Sequence, residues 1–530
     1  MTITAERAAL DAGIRRALSP ALALVVGALV LAALALCLPI DHDEGQYVGP
    51  FALAGHPRPF ADFTYLQTPL QLYLTRPLAA LAQGWALLAL RLFNAAMALG
   101  ALGLIYAVQR RLGAPAGRAM VACGLLLMAY PFEFASVVAR NDVLPALLEA
   151  AAILAATTAL EHPRAGRALW VLVGLMLGAA ASAKISYALP AAGMGVWLLW
   201  SAWKRRAGLM DVIGFGLGGL IGLVPAALAF LGAPDNFIWG VLTFAHAAAP
   251  WWYRAIGLGY RLAPLRRLAE GVFHVAVGPA LAMLVGVVAA GCGRRARAQT
   301  SPATGLLQAV ALAGLIAALA PSPMQRQYFM PMLVPLAVLW GVQAPLEGRR
   351  WLMVLTMAGL AVGVGRVGYV VGDAGLRIAQ GRPPPVIALT QEAHWIGRTL
   401  KAQEVSGDIA TPSPQAVLDS GARLDPRFSS GAFAYRSGDM LSDEALRRLH
   451  LTSPRTLARD LDSDPPGAIL TGYEPASGPA RRDIDDDFRA YARARGYREL
   501  VSPDGVAELW IRAPSAGPPG APSPTPHPGS

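Results

Sequence analysis

PALALVVGALVLAALALCLPIDHDEGQYVGP, residues 20–50, runs from hydrocarbon-like sequence straight into Asp41, His42, Asp43 and Glu44. The apolar part is as long as a membrane-spanning helix, which takes about 20 such residues. An acid beside lipid is costly unless it is solvated, paired or used. The junction therefore predicts a membrane bundle whose charged ends need a reason.

Of 530 residues, 55% are hydrophobic and 15% charged, against about a quarter charged in soluble domains. The formal charge of +11 reads as topology and not as nucleic-acid binding. Lys and Arg gather in alternate gaps between apolar runs, around Arg15, Arg110, Arg164, Lys204, Arg294 and Arg349, as cytoplasmic loops do. Eleven spans follow, near 20–40, 86–108, 119–138, 143–160, 169–183, 187–203, 211–232, 271–291, 303–320, 328–346 and 351–371. An odd number leaves residues 1–19 in the cytoplasm and the C-terminal region on the far side. Leu36 stands where a lipoprotein cleavage site needs a small residue before Cys37, so the first span is predicted to be an uncleaved signal anchor. Cys37, Cys123 and Cys292 lie in apolar segments, without the spacing of a disulfide framework or a zinc site.

The fold class expected is an α-helical polytopic membrane protein with a small C-terminal extracytoplasmic α/β domain. The outer loop 41–85 and the stretch 233–270 contain amphipathic segments, 68–84 and 250–270, that suit helices lying in the membrane interface. Past GRPPP at 381–385 the periodicity becomes that of a soluble α/β domain, residues 386–512, predicted to fold separately. Residues 513–530 are too rich in Pro, Gly and Ser to bury a core and are expected to be a disordered tail. GVGRVG at 363–368 fits a dinucleotide fingerprint in letters only. It lies inside an apolar span without a preceding strand, so its glycines are read as helix-packing positions.

The unusual polar residues share one predicted face: Asp43 and Glu44 after the first span, Arg140 and Asp142 in ARND after the third, then Lys184 and Arg326. A carboxylate beside a hydroxyl can act as general base, and cations can stabilise a departing phosphate. The plain alternatives are solvated loop acids, a capped turn at Arg140 and Asp142, and basic residues snorkelling to the interface. His42, His56 and His246 show no metal-ligand spacing and are expected to be solvated. Glu133 and Glu149 fall within apolar runs, and structural pairing inside the bundle is expected for both.

DHDEGQYVGPFALAGHPRPFADFTYLQTPLQLYLTRPL (41–78) followed by RLFNAAMALGALGLIYAVQRRLG (91–113) resembles the first outer loop and second helix of the C-fold (GT-C) glycosyltransferases. The likeness is to the branch with dolichyl-phosphate-mannose protein mannosyltransferases and bacterial aminoarabinose transferases. ARNDVLPALLEAAAI, GLMLGAAASAKISYALP and QRQYFMPMLVPLAVL extend it over most of residues 20–345. The resemblance implies a GT-C-like catalytic domain at 20–371 that moves a sugar from a polyprenyl-phosphate carrier to a lipid, glycan or protein hydroxyl. It implies Asp43 as catalytic base, Glu44 as orienter of the acceptor or ligand of a divalent metal, and Asp142 as second acid or metal ligand. Arg140, Lys184, Arg326, Tyr328, Tyr65 and Gln67 become candidates for substrate binding. No cofactor is required beyond a possible divalent metal ion, and no nucleic-acid partner is implied. The expected setting is a bacterial inner membrane, with the site on its outer face and inversion at the sugar carbon. A transporter or flippase of a lipid-linked saccharide is the competing reading. It would call for internal repeats and midplane charges, which this sequence does not display.

Overall fold

The computed structural model describes residues 20–53, 55–291, 301–474 and 483–512, without the side chains of 163–165. The expected cytoplasmic N-terminus 1–19, the basic gap around Arg294 and the tail 513–530 lie outside the described residues.

The bundle begins with α1 (Pro20–Cys37), followed by the short α2 (Glu44–Val48) and by α3 (Leu70–Leu81) of the first loop. Next come α4 (Ala86–Arg111), α5 (Ala116–Leu127), α6 (Tyr130–Ala135), α7 (Val143–Glu161), α8 (Pro163–Ala183) and α9 (Ala188–Trp203). The second half holds α10 (Leu209–Gly222), α11 (Val224–Gly232), α12 (Ala249–Ala255), α13 (Pro264–Ala276), α14 (Pro279–Gly291), α15 (Pro302–Leu319), α16 (Met330–Gln343) and the long α17 (Arg350–Ala379). Among the described residues, seven helices are long and apolar enough to cross a membrane, or nine when two bent pairs each count as one. The protein is a multi-pass membrane protein.

Four of the expected spans differ from what forms, the run 211–232 by a 49° bend between α10 and α11. The run 119–138 breaks into α5 and α6 at Ala129, whose backbone is extended, and Pro131 sits in the first turn of α6, where its missing N–H costs nothing. The run 328–346 becomes the 14-residue α16, buried on nearly every side, which makes it a central core helix. The run 271–291 is bent by 91° between α13 and α14, with Gly278 at φ +88° taking the turn that other residues resist. The segment 250–270 is not one interface helix. It divides into α12, a single turn at Gly259–Leu262 and the start of α13.

Glycine sets the closest packing. A Cβ on Gly218 of α10 would fall 1.9 Å from the carbonyl oxygen of Val171 in α8, so the two backbones touch, as small-residue interfaces in membranes allow. Gly363, from GVGRVG, meets Met128 in the same way, with its Cβ position 2.5 Å from that of Met128.

Past α17, α18 (Pro385–Ala402) leads into a four-stranded sheet of β1 (Ile409–Ala410), β2 (Ala468–Thr471), β3 (Arg498–Val501) and β4 (Glu508–Ile511) in the order β1-β2-β4-β3. β1 pairs parallel with β2, and the other pairings are antiparallel. The α/β character is as expected, and this region packs directly against the first loop. Phe60, Phe63, Tyr65 and Leu72 of loop 41–85 share one apolar cluster with Leu424, Phe428, Phe488 and Trp510 of the C-terminal region. Backbone and side-chain bonds reinforce the join, including Leu424 N–H to Ala52 O at 3.0 Å and Ser429 and Ser430 hydroxyls to Thr64 O at 2.8 and 2.9 Å. Apolar residues flanking the acids need cover, and the C-terminal region supplies it.

Candidate active site

Arg140 is the hub. Its backbone carbonyl accepts from the amides of Gln71 at 2.7 Å and Asn94 at 2.8 Å, which fixes the ARND turn from α3 and α4. Asn141 donates to Ala183 O at 2.7 Å and so ties that turn to Lys184. The Arg140 guanidinium, 3% exposed, bonds Asp41 at 2.9 Å, Asp142 at 3.1 Å and also Asp43. Lys184 completes the cluster on the other oxygen of Asp142. Three aspartates thus face two cations, leaving one negative charge in excess.

Burial pushes Asp142 up, but Lys184 and Arg140 more than offset it and hold its carboxyl below the ordinary aspartate value. Asp43 behaves likewise: burial raises it, while Arg140, His42 and Arg436 bring it lower. Asp41 ends raised, because burial outweighs Arg140 and the neighbouring acids add to it. Asp43 is therefore ionised at neutral pH, and at 29% side-chain exposure it is the most open carboxylate on Arg140.

Asp41, Asp43, Arg140 and Lys184 line a cavity of about 860 Å³ together with Gln67, Arg326, Tyr328 and Arg377. The Arg326 guanidinium lies 3.5 Å from the centre of the Phe134 ring and 4.7 Å from that of Tyr130, and it bonds the Tyr130 hydroxyl. Among the described residues neither Arg326 nor Arg377 has a carboxylate within ion-pair distance. The Arg377 Nε is buried without a partner.

Asp43, Asp142, Arg140, Lys184, Arg326, Tyr328 and Gln67 thus converge, as the sequence predicts, with Asp142 held just behind the cavity wall. Glu44 and Tyr65 do not. Glu44 is 0% exposed and takes Arg91 through both oxygens, at 2.8 and 2.5 Å, plus the N–H groups of Asp41 and Ala139. Tyr65 is 2% exposed inside the apolar cluster of the loop. The pair expected to bind metal does not fit a cation, since Arg91 occupies Glu44 while Arg140 and Lys184 occupy Asp142. No group of three or more His, Cys, Asp or Glu among the described residues could hold one.

Glu133 is paired as expected, with Arg366 at 2.8 Å. Glu149 is not: both of its oxygens are buried and unpartnered among the described residues. His42 is exposed as expected but also reaches Glu474 at 3.4 Å and Arg436 at 3.2 Å. Sequence reading missed Arg91, although an arginine inside an apolar run is itself a signal. It also missed Asn94 and Arg377.

The chain has known relatives in sequence pattern and fold. The model of dolichyl-phosphate-mannose-protein mannosyltransferases matches residues 66–230. A comparison with curated proteins finds no match. The structure of ArnT from Cupriavidus metallidurans bound to undecaprenyl phosphate superposes with a TM-score of 0.57 at 17% identity, over 93% of this chain and 98% of that one. Its apo state gives 0.55 at 16% identity with the same coverage. This chain has the GT-C fold. An apo oligosaccharyltransferase from Archaeoglobus fulgidus shares it at a TM-score of 0.50 and 11% identity, over 93% of this chain and 74% of that one. Within this GT-C fold, the Arg140 cluster sits where the first loop, the ARND turn and the C-terminal region meet.

Proposed function

We propose that the protein is a membrane glycosyltransferase that moves a sugar from a polyprenyl-phosphate carrier to a hydroxyl of an envelope lipid, glycan or protein. The observation that carries this reading is the partly exposed Asp43 carboxylate lining a cavity shared with two cations, Arg326 and Arg377, that lack carboxylate partners among the described residues. The GT-C fold and the relative bound to undecaprenyl phosphate support it. In the step proposed, the acceptor oxygen attacks the anomeric carbon from the face opposite the phosphate. Its proton passes to Asp43 as the C–O bond forms. The bond from that carbon to the phosphate oxygen breaks, and its electron pair leaves with polyprenyl phosphate. Inversion follows from a single displacement. Arg326 and Arg377, with the Tyr328 hydroxyl, would stabilise the negative charge on the leaving group, while Lys184 and Arg140 hold the aspartates ionised. Domain boundaries at 20–371 and 386–512, with the site on the outer face of a bacterial inner membrane, complete the proposal.

The test is turnover of labelled undecaprenyl-phosphate sugars by purified protein in nanodiscs. Release or transfer of sugar by the wild type, lost in Asp43→Asn at unchanged thermal stability, supports the enzyme. Movement of the intact carrier lipid between leaflets without cleavage would replace it with a flippase.

A further inference from the structure

The cavity has a second wall, built by the C-terminal region, that the steps above leave idle. It carries Glu392, Gln415, Arg436, Tyr473 and Glu474, with His42 of the loop. Glu392 accepts from the Tyr473 hydroxyl at 2.5 Å. Glu474, 5% exposed, accepts from the Ser413 hydroxyl at 3.1 Å and faces His42. Gln415 is 7% exposed, yet its Oε1 has no hydrogen-bond partner among the described residues. It reaches its place because residue 45 is glycine: a Cβ there would fall 2.5 Å from that oxygen. A buried amide oxygen without a partner costs free energy comparable to a lost hydrogen bond, so an occupant that donates to it would recover that loss.

The two walls differ in charge balance. The bundle side presents Arg326 and Arg377, without carboxylate partners among the described residues and suited to the carrier phosphate. The other side presents carboxylates and an amide beside aromatic rings. The positive charge of Arg436 is answered by Glu474 and Asp43 and is stacked 4.4 Å from the Phe433 ring centre and 5.1 Å from that of Trp252. Carboxylates accept O–H bonds well, and ring faces take the apolar side of a pyranose. A polyanionic headgroup would find the Arg436 charge already answered and would meet the Glu474 carboxylate, which costs both partners.

Resting on the glycosyl-transfer reading, we propose that this wall is the acceptor subsite and that it takes an uncharged sugar through its hydroxyls, with Glu474 and Gln415 as the receiving groups. The acceptor is then a glycan or glycolipid with a neutral sugar at the modified end.

The experiment compares two fates of one donor, hydrolysis to water and transfer to an added acceptor, with full-length protein in nanodiscs. The acceptor probes are methyl glycosides of common hexoses and their 6-phosphates. The wild type should transfer to at least one methyl glycoside and should discriminate against its 6-phosphate. In Glu474→Gln and Gln415→Leu the ratio of transfer to hydrolysis should fall about tenfold or more, the loss of one or two hydrogen bonds to a charged or buried group, through a raised KM for the glycoside. Arg326→Gln should lower both fates together. Gln415→Asn, which keeps the amide, should recover part of the ratio and guards against a folding artefact. An unchanged ratio in both wall variants, or preference for the phosphorylated probe, overturns the subsite while leaving the enzyme in place. Hydrolysis by a wild type that transfers to no glycoside does the same. A wild type that turns over no donor by either route removes the glycosyl-transfer reading itself.

Discussion

Asp43 and Glu44 are adjacent in the chain, and each meets an arginine from elsewhere in the bundle, Arg140 of the ARND turn and Arg91 of α4. Glu44 sits at 0% exposure with Arg91, whose remaining donors go to the carbonyls of Ala35, Leu38 and Pro39. Every polar atom of that pair is used, so it can hold the end of α1 against α4 but has nothing left for a ligand. Asp43 shares Arg140 with two other acids and keeps 29% of its side chain open. The neighbour that is fully satisfied is a brace, and the one that is incompletely satisfied is the one proposed as the reagent. The two acids of the motif are separated by their partners, Arg91 for Glu44 and Arg140 for Asp43.

The largest effect should come from breaking the brace. Arg91→Met leaves a buried carboxylate alone, and the loss should be about 3–5 kcal/mol, read as a lowered unfolding temperature of the purified protein. The double variant Arg91→Met, Glu44→Leu should regain most of it, because two apolar groups need no counter-charge. If the single variant unfolds like the wild type, the contrast between the two acids fails.

Asp43→Asn should do the reverse, cutting sugar transfer by about 10²–10⁴-fold, the range for a lost general base, with little change in unfolding temperature. Arg140 also fixes the pH behaviour. Asp43 lies below its ordinary value in the folded chain, so its stabilising contribution is present above the unfolded value and lost as pH falls through the folded one. The acid limb of activity should accordingly lie below the ordinary aspartate range. Arg326→Gln, which removes a cation without touching either acid, should lower turnover by about 10²-fold, measured on the same donor.

The smallest effect concerns Glu392, whose carboxyl is pushed up to about 7 by burial and by sharing a hydrogen bond with Asp504. Between the ordinary glutamate value and that point the folded chain holds a proton that the unfolded chain lacks. Stability should therefore fall as pH rises through this window. Glu392→Gln should flatten the slope, followed by thermal unfolding across a pH series.

Much of this was legible from residues alone. The apolar runs gave most helices, and loops on one predicted face did bring Asp43, Asp142, Arg140, Lys184 and Arg326 together. The division between Asp43 and Glu44 was not legible, because it depends on Arg91 from a different helix, and long-range pairing leaves no local period. Breaks such as Ala129 and Gly278 were hidden inside runs whose hydropathy stays high across the bend. The acceptor-side wall escaped for another reason: Gln415, Arg436 and Glu474 belong to a region whose pattern reads as an ordinary soluble domain. Only its packing on loop 41–85 turns them toward the cavity.

That packing constrains how the molecule can be rebuilt. Thr64 both donates to Leu449 O and accepts from Ser429 and Ser430, and Asp419 receives the N–H of Ala86 at 2.6 Å. A chimera that exchanges only residues 385–512 with a distant relative would inherit mismatched seams along the loop. Grafts should travel as a matched set, 41–85 with 385–512, and a version cut short after α17 should lose the order of its first loop rather than survive as a smaller catalyst.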